Sequence, residues 1–140
     1  MLNVEIICAG RIKEVYYQNA CAEYIKRLSA YIKLSVIEQP EGKPLKIPDD
    51  GVYTIVLTPD GKRYTSEQWA KHFWVLADCG KSKLRFLIGG SDGLFPQDLE
   101  RANETLSLSR MTFTHGMARV LLLEQVYRAC MIRANRKYHK

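Results

Sequence analysis

Three histidines are the residues of this sequence best suited to proton transfer near neutral pH: His72, His115 and His139. Imidazole is the side chain that ordinarily titrates in that range. His72 falls inside a helical pattern, which favours a structural role. His115 follows a predicted strand and precedes a predicted helix, at the kind of junction where polar groups of α/β proteins meet ligands. His139 adjoins Tyr138 in a basic terminus, an unusual ending for a chain.

Two glycine-containing stretches suggest phosphate or nucleotide binding, and both fail as established motifs. Residues 80–82 read Gly-Lys-Ser, as in a P-loop, but the required first glycine is Val75 and the stretch ends a helix instead of opening one. Residues 89–93 resemble a dinucleotide fingerprint, but the leading position is Ile88. What survives is a backbone turn after a strand, where the absence of side chains lets a ligand approach closely.

The four cysteines are Cys8, Cys21, Cys79 and Cys130. No two of them form a Cys-x-x-Cys pair, and no histidine stands at zinc-finger spacing from any of them. A free cysteine packs as a small hydrophobic residue. The sequence therefore predicts buried, reduced thiols and no metal site.

The positive charge is confined to the end of the chain. The 140 residues carry a net charge of +6, and residues 1–100 sum to zero, with 13 basic and 13 acidic side chains. Residues 101–140 carry 8 basic and 2 acidic side chains. Localised positive charge is typical of a protein with a phosphate-bearing partner, although a solvated basic tail gives the same count. With 46% hydrophobic residues, no 18-residue apolar run and no signal-peptide pattern, the chain is predicted to be a globular cytosolic protein without membrane spans.

These groups must be positioned by an alternation of strands and helices. Apolar runs predict strands at 2–8, 34–37, 52–57, 84–88 and 111–113. Apolar residues that recur with a period of 3.6 predict a helix over 14–32. Thr65 and Gln68 fit a capping box that begins a second helix, which ends near Gly80. Further helices are predicted over 96–104 and 116–135. Residues 41–51 are predicted to form a loop. The pattern indicates a single α/β domain, residues 1–140, with a mainly parallel sheet.

The last predicted helix contains the run 120–123, Val-Leu-Leu-Leu, which is apolar on every side. A terminal helix of a small domain rarely buries its whole circumference within its own chain. We therefore expect a subunit interface here, with Leu122 in it.

Four stretches resemble one known family: residues 87–94, 107–115, 119–129 and 138–140. The sequence is similar to the ribosomal RNA large subunit methyltransferase H family, of the SPOUT class. The resemblance implies an α/β knot fold with a C-terminal trefoil knot, a homodimer and S-adenosyl-L-methionine as methyl donor. It also implies N3-methylation of a pseudouridine in 23S ribosomal RNA, on assembled ribosomes.

The resemblance also transfers functional residues to this chain. It places the RNA-facing side at Arg119, Arg128, Tyr138 and His139. Proton removal from the imide nitrogen would fall to His115, His139 or water, and the sequence singles out none of them. Leu108 and Met111 would flank the adenine. The implied cofactor-binding residues are Leu57, Thr58, Gly89, Gly90, Leu108, Ser109, Arg110, Met111, Thr112, Phe113 and Thr114.

The sequence departs from the family pattern at three places, and two other functions remain open as alternatives. The 41–51 loop is shorter than in relatives, Thr114 stands where a proline commonly precedes the histidine, and Gly116 is an unusual successor. A basic domain that binds ribosomal RNA without chemistry would explain the charge equally well. A SPOUT methyltransferase of another branch, acting on transfer RNA, would share the fold and the cofactor.

Overall fold

The computed structural model describes residues 1–80 and 82–139; Lys81, from the rejected 80–82 motif, and Lys140, from the terminal motif, lie outside this description. The elements are β1 (Asn3–Ala9), α1 (Val15–Leu28), β2 (Lys33–Gln39), β3 (Tyr53–Arg63), α2 (Ser66–Asp78), β4 (Lys83–Ile88), α3 (Pro96–Glu100), β5 (Glu104–Ser107) and α4 (His115–Arg133). The five strands form one sheet in the order β2-β1-β4-β3-β5, and every neighbouring pair is parallel.

The fifth strand is not where the sequence predicted it. Residues 111–113 form no strand, and β5 lies earlier, where Leu106 pairs with β3. The prediction of 111–113 was wrong because an apolar run can serve a cavity wall as well as a strand. Residues 41–51 contain no helix or strand, as predicted.

Strand β3 continues past the point where the sequence predicted its end. Its register shifts between Leu57 and Lys62, both of which lie opposite Leu106. The intervening residues include Pro59, which has no N–H to give to a ladder and is tolerated at such an irregularity. A Cβ on Gly61 would lie 2.8 Å from the Leu106 backbone, so a glycine is required where the strand rejoins its neighbour.

The two faces of the sheet are covered differently. Helices α1, α2 and α4 pack on one face, where alternate strand residues such as Ile6 and Phe86 are fully buried. The other face carries Ile7 and Leu87, which pack against Leu45 of the 41–51 loop. The predicted capping box of α2 is present: the Gln68 amide N–H donates to Thr65 Oγ1, and the Thr65 N–H donates to Gln68 Oε1.

Helix α4 packs between α1 and α2 and is largely buried within its own chain. Leu122 and Leu123 have 0% exposure, whereas Val120 and Leu121 are half-buried. Leu122 is therefore a core residue of the single chain, and its assignment to a subunit interface was wrong. In the part of the chain that the structure describes, no helix is long and apolar enough to cross a membrane.

Candidate cofactor site and nucleic-acid interface

A cavity of about 700 Å³ opens where β4 and β5 end and where the register of β3 shifts. Because the strands are parallel, the loops that follow β4 and β5 meet this part of β3 at one edge of the sheet. Of the predicted cofactor-binding residues, Arg110 alone does not line this cavity; its side chain is exposed. The ones that line it are Leu57, Thr58, Gly89, Gly90, Leu108, Ser109, Met111, Thr112, Phe113 and Thr114.

The floor of the cavity is a glycine turn after β4. The Gly93 N–H donates to the Gly90 carbonyl oxygen at 3.0 Å, which closes the turn. A Cβ on Gly89 would lie 2.7 Å from the Gly93 carbonyl carbon, and Gly93 itself has a φ of +83°. The turn therefore leaves no room for a side chain at Gly89, and its backbone can approach a bound ligand closely there.

The opposite wall is the segment between β5 and α4. Ser109 Oγ accepts a hydrogen bond from the Met111 N–H at 3.0 Å, and Thr114 Oγ1 caps α4 by accepting from the Met117 N–H at 3.3 Å. These local bonds fold the segment without a strand. Met111 is 75% exposed and Phe113 37%, so apolar side chains surround the opening. Such a wall fits the flat, apolar face of an adenine.

The β3 irregularity supplies the third side. Thr58 and Pro59, which fall within the register shift, both line the cavity. The other lining residues, apart from His115, were not predicted to bind the cofactor: Glu14, Pro59, Ile88, Ser91, Gly93, Leu94, Leu99, Leu106 and Ala118. Leu99 and Ala118 belong to helices and carried no chemical signal, whereas Pro59 was visible but was interpreted as the end of a strand.

His115 lies on the cavity wall at the first turn of α4. Its Nε2 lies 3.3 Å from the Arg11 carbonyl oxygen. A carbonyl can only accept, so Nε2 carries the proton in this contact, and Nδ1 of the neutral ring is left as an acceptor. The ring is thus oriented, and one of its nitrogens is able to take a proton.

His139 lies at a different place, and the single chain does not bring the two histidines together. Its Nδ1 accepts from the Arg128 guanidinium at 3.1 Å, and its Nε2 donates to Glu67 Oε1 at 2.7 Å. Arg128 follows His115 by thirteen residues of one helix, which is about 20 Å at 1.5 Å per residue. His139 does not line the cavity.

Arg128, Tyr138 and His139 form one cluster on the outer surface of α4. The Arg128 guanidinium bonds Glu124 Oε1 at 2.7 and 3.1 Å and lies 4.8 Å above the Tyr138 ring centroid. Burial, reinforced by the hydrogen bond between the Tyr138 and Tyr24 hydroxyls, raises the pKa of the Tyr138 phenol well above its usual range. The cluster therefore joins a cation to aromatic faces, with the cation partly neutralised inside the chain.

Arg119 is not on this surface, and its assignment to the RNA-facing side was wrong for the single chain. Only 7% of its side chain is exposed. It bonds Glu38 at 2.7 Å and the Gly10 carbonyl oxygen at 3.3 Å, so it joins α4 to the ends of β1 and β2. A guanidinium enclosed in this way cannot reach a phosphate.

His72 and the cysteines lie in surroundings typical of structural residues. His72 Nε2 lies 2.7 Å from Glu104 Oε1, and the His72 ring stacks on the ring of Tyr64. His72 does not line the cavity. Cys8, Cys21 and Cys130 are buried free thiols, as predicted, but Cys79 is exposed. Burial raises the pKa of Cys8 and of Cys130 to about 12, which keeps both thiols protonated. Within residues 1–80 and 82–139, no group of three or more His, Cys, Asp or Glu is arranged to hold a metal ion.

Comparison of the sequence and of the fold with known proteins identifies one class of protein. The family described as "Predicted SPOUT methyltransferase" matches residues 2–139. A probable methylase family protein from Haemophilus influenzae superposes with a TM-score of 0.60 at 13% identity, over 99% of this chain and 70% of that one. A probable methyltransferase from Bordetella pertussis gives 0.59 at 10% identity, over 91% and 95%. The chain is a SPOUT methyltransferase by family, with a methyl donor and an RNA substrate as its reactants.

Closer relatives define the branch of that class. The Bacillus cytotoxicus protein named ribosomal RNA large subunit methyltransferase H is 42% identical over 160 residues, covering 99% of this chain and all of the relative. The Listeria monocytogenes protein of the same name is 41% identical over the same span. This chain belongs to the ribosomal RNA large subunit methyltransferase H family. Since it has 140 residues, its relatives carry additional ones.

Proposed function

We propose that the protein transfers the methyl group of S-adenosyl-L-methionine to N3 of a pseudouridine in 23S ribosomal RNA within assembled ribosomes. The observation that carries the proposal is the cavity, lined by all but one of the residues that the family resemblance selects for the cofactor. The glycine turn and the apolar side chains of Leu108, Met111 and Phe113 fit a ligand with one flat apolar end and one polar end.

The chain's own residues contribute binding, orientation and proton transfer. The bound sulfonium would supply an already activated methyl group, so the protein contributes mainly by positioning, which accounts for about 7–11 kcal/mol in favourable intramolecular cases. The imide nitrogen must lose its proton, and His115 is the candidate base because it lines the cavity with Nδ1 unused.

A substitution can distinguish two roles of His115: a general base, or a structural residue that only holds the Arg11 carbonyl by a hydrogen bond. His115→Asn can keep a hydrogen bond to the Arg11 carbonyl but cannot take up a proton near neutral pH. We expect turnover to fall by about a hundredfold or more, and the acidic limb of the pH–rate profile to disappear, with cofactor affinity little changed. An unchanged profile would assign the proton to water.

A homodimer is part of the proposal. The first turn of α1 exposes Val15 (64%) and Tyr16 (66%), and Tyr17 packs directly against Gly116 at the start of α4. These apolar side chains and the exposed Met111 therefore lie around the start of α4, and a second copy of the chain would cover them. Sedimentation of Tyr16→Glu against the wild type tests this interface, since Tyr16 is not part of the core.

The test of the function is methyl transfer from labelled S-adenosyl-L-methionine to ribosomes that lack the modification. Free ribosomal RNA and transfer RNA serve as parallel substrates. Label in the large-subunit RNA of intact ribosomes is the expected result. Label confined to transfer RNA would move the substrate to another SPOUT branch, and no label with active controls would favour a non-catalytic RNA-binding domain. Cytoplasmic action follows from the proposed substrate.

A further inference from the structure

The glycine turn of the cavity is held from outside by Glu41, the first residue of the 41–51 loop. Glu41 Oε1 accepts hydrogen bonds from the Ser91 N–H at 2.7 Å and from Ser91 Oγ at 3.2 Å. Ser91 lines the cavity, directly after Gly90. Glu41 follows β2, whereas Ser91 follows β4, and β1 lies between these two strands in the sheet. The side chain therefore reaches across the end of an intervening strand.

Two glycines leave the path open for that side chain. A Cβ on Gly10, at the end of β1, would lie 2.8 Å from Glu41 Cγ and Cδ. A Cβ on Gly90 would lie 2.9 Å from the same two atoms and would overlap the carboxylate oxygen. Adjacent strand ends thus form a groove without side chains, and the Glu41 side chain occupies it.

The loop that carries Glu41 is itself fixed to the rest of the chain. The Leu45 N–H donates to Asp98 Oδ1 at 2.9 Å. The Arg101 guanidinium donates to the carbonyl oxygens of residues 47 and 48 at 3.1 and 3.0 Å. The hydrogen bond from the Ser91 amide lowers the pKa of the Glu41 carboxyl, so the side chain is ionised at neutral pH. An anchored loop thus presents a charged acceptor to the turn.

We infer that Glu41 is a positioning residue for the cofactor: it keeps the Gly90–Gly93 turn in the conformation that binds S-adenosyl-L-methionine. Glu41 does not line the cavity and acts through Ser91. The inference rests on the proposed function. It also gives a role to the 41–51 loop, which reaches the cofactor site in spite of its shortness.

Calorimetric titration with S-adenosyl-L-methionine tests the inference on the full chain. Glu41→Ala removes both hydrogen bonds, and we expect the dissociation constant to rise about tenfold. Glu41→Gln keeps an acceptor oxygen and should remain within about threefold of the wild type. Glu23→Ala is the matched control, because Glu23 is an exposed glutamate paired with Arg27 on α1. Since Glu41 acts on binding, saturating cofactor should restore the turnover of Glu41→Ala on ribosomes.

A double mutant separates positioning from general damage. Gly90→Ala places a methyl group where the Glu41 side chain lies, so it should weaken binding in the wild-type background and add little in Glu41→Ala. Urea unfolding of each variant shows that it is folded. Wild-type affinity in Glu41→Ala, additive losses in the double mutant, or a Gln variant as weak as the Ala variant would each overturn the inference. A wild-type protein that binds no S-adenosyl-L-methionine would instead overturn the proposed function, and the inference with it.

Discussion

Replacing Gly89 by alanine is the sharpest test of the cavity as the cofactor site. The new Cβ would lie 2.7 Å from the Gly93 carbonyl carbon, and 2.9 Å from both the Gly93 oxygen and the Leu94 nitrogen. All three are backbone atoms, so they cannot rotate away and the turn must move. Forcing a methyl group into a packed site costs about 1–3 kcal/mol. If that cost falls on the bound conformation, the dissociation constant for S-adenosyl-L-methionine rises about fivefold to 150-fold.

The assay is calorimetric titration, with urea unfolding in parallel, and Gly80→Ala as the control. Gly80, which follows α2, has a φ of +87° and open space where a Cβ would lie. An alanine there is destabilised by about 1 kcal/mol through backbone strain alone. We expect Gly80→Ala to lose stability and keep its cofactor affinity. A folded Gly89→Ala protein with wild-type affinity would refute the placement of the cofactor on this turn.

Three further predictions concern thiols, acid stability and RNA contacts. A thiol reagent at neutral pH should modify Cys79 at once and the other three cysteines only on unfolding, because those are buried; rapid modification of two or more would contradict the burial. Hydrogen bonds from Arg85 hold the pKa of Asp50 well below its usual range. The pair therefore stabilises the folded protein fully when the pH is above the pKa of an ordinary carboxyl group. This stabilisation is lost as the pH falls from that value through the lowered pKa of Asp50. Asp50→Asn should therefore flatten the fall in urea midpoint below about pH 5, and an unchanged fall would assign the acid sensitivity to other carboxyls. Arg110→Ala should reduce the slope of log ribosome affinity against log salt by about 0.7–0.9, the value for one phosphate contact, and an unchanged slope would remove Arg110 from the RNA surface.

The general fold was predictable because its signals are local. Apolar runs gave four of the five strands, and the capping box at Thr65 placed the start of α2 correctly. The end of β3 and the position of β5 were missed for a common reason. Both depend on how Leu106 pairs with Leu57 and Lys62 across a register shift, and a pairing partner more than forty residues away leaves no mark on a local pattern.

The candidate site also contains residues that the sequence predicted and others, among them Glu41, that it did not. The cavity residues were available from sequence through the family resemblance, which located the glycine turn and the 108–114 wall in one step. Glu41 was not, because nothing in the loop pattern marks it. Its role depends on the bareness of Gly10 and Gly90, and the functional signal of those residues is the absence of a side chain. Thr114, an unusual residue in the family pattern, still caps α4 through its hydroxyl.

The charge count of the sequence overstated the basic surface. All of the net charge lies in residues 101–140. Several of those cations nevertheless form ion pairs with carboxylates of the same chain: Arg119 with Glu38, Arg133 with Asp78 and Arg128 with Glu124. Two of these three carboxylates come from the neutral first hundred residues. An imbalance along the sequence therefore becomes, in part, a set of ion pairs that join α4 to the rest of the fold. Under the proposed function, contacts to phosphate fall to cations that remain exposed, and Arg110, which does not line the cavity, is one of them.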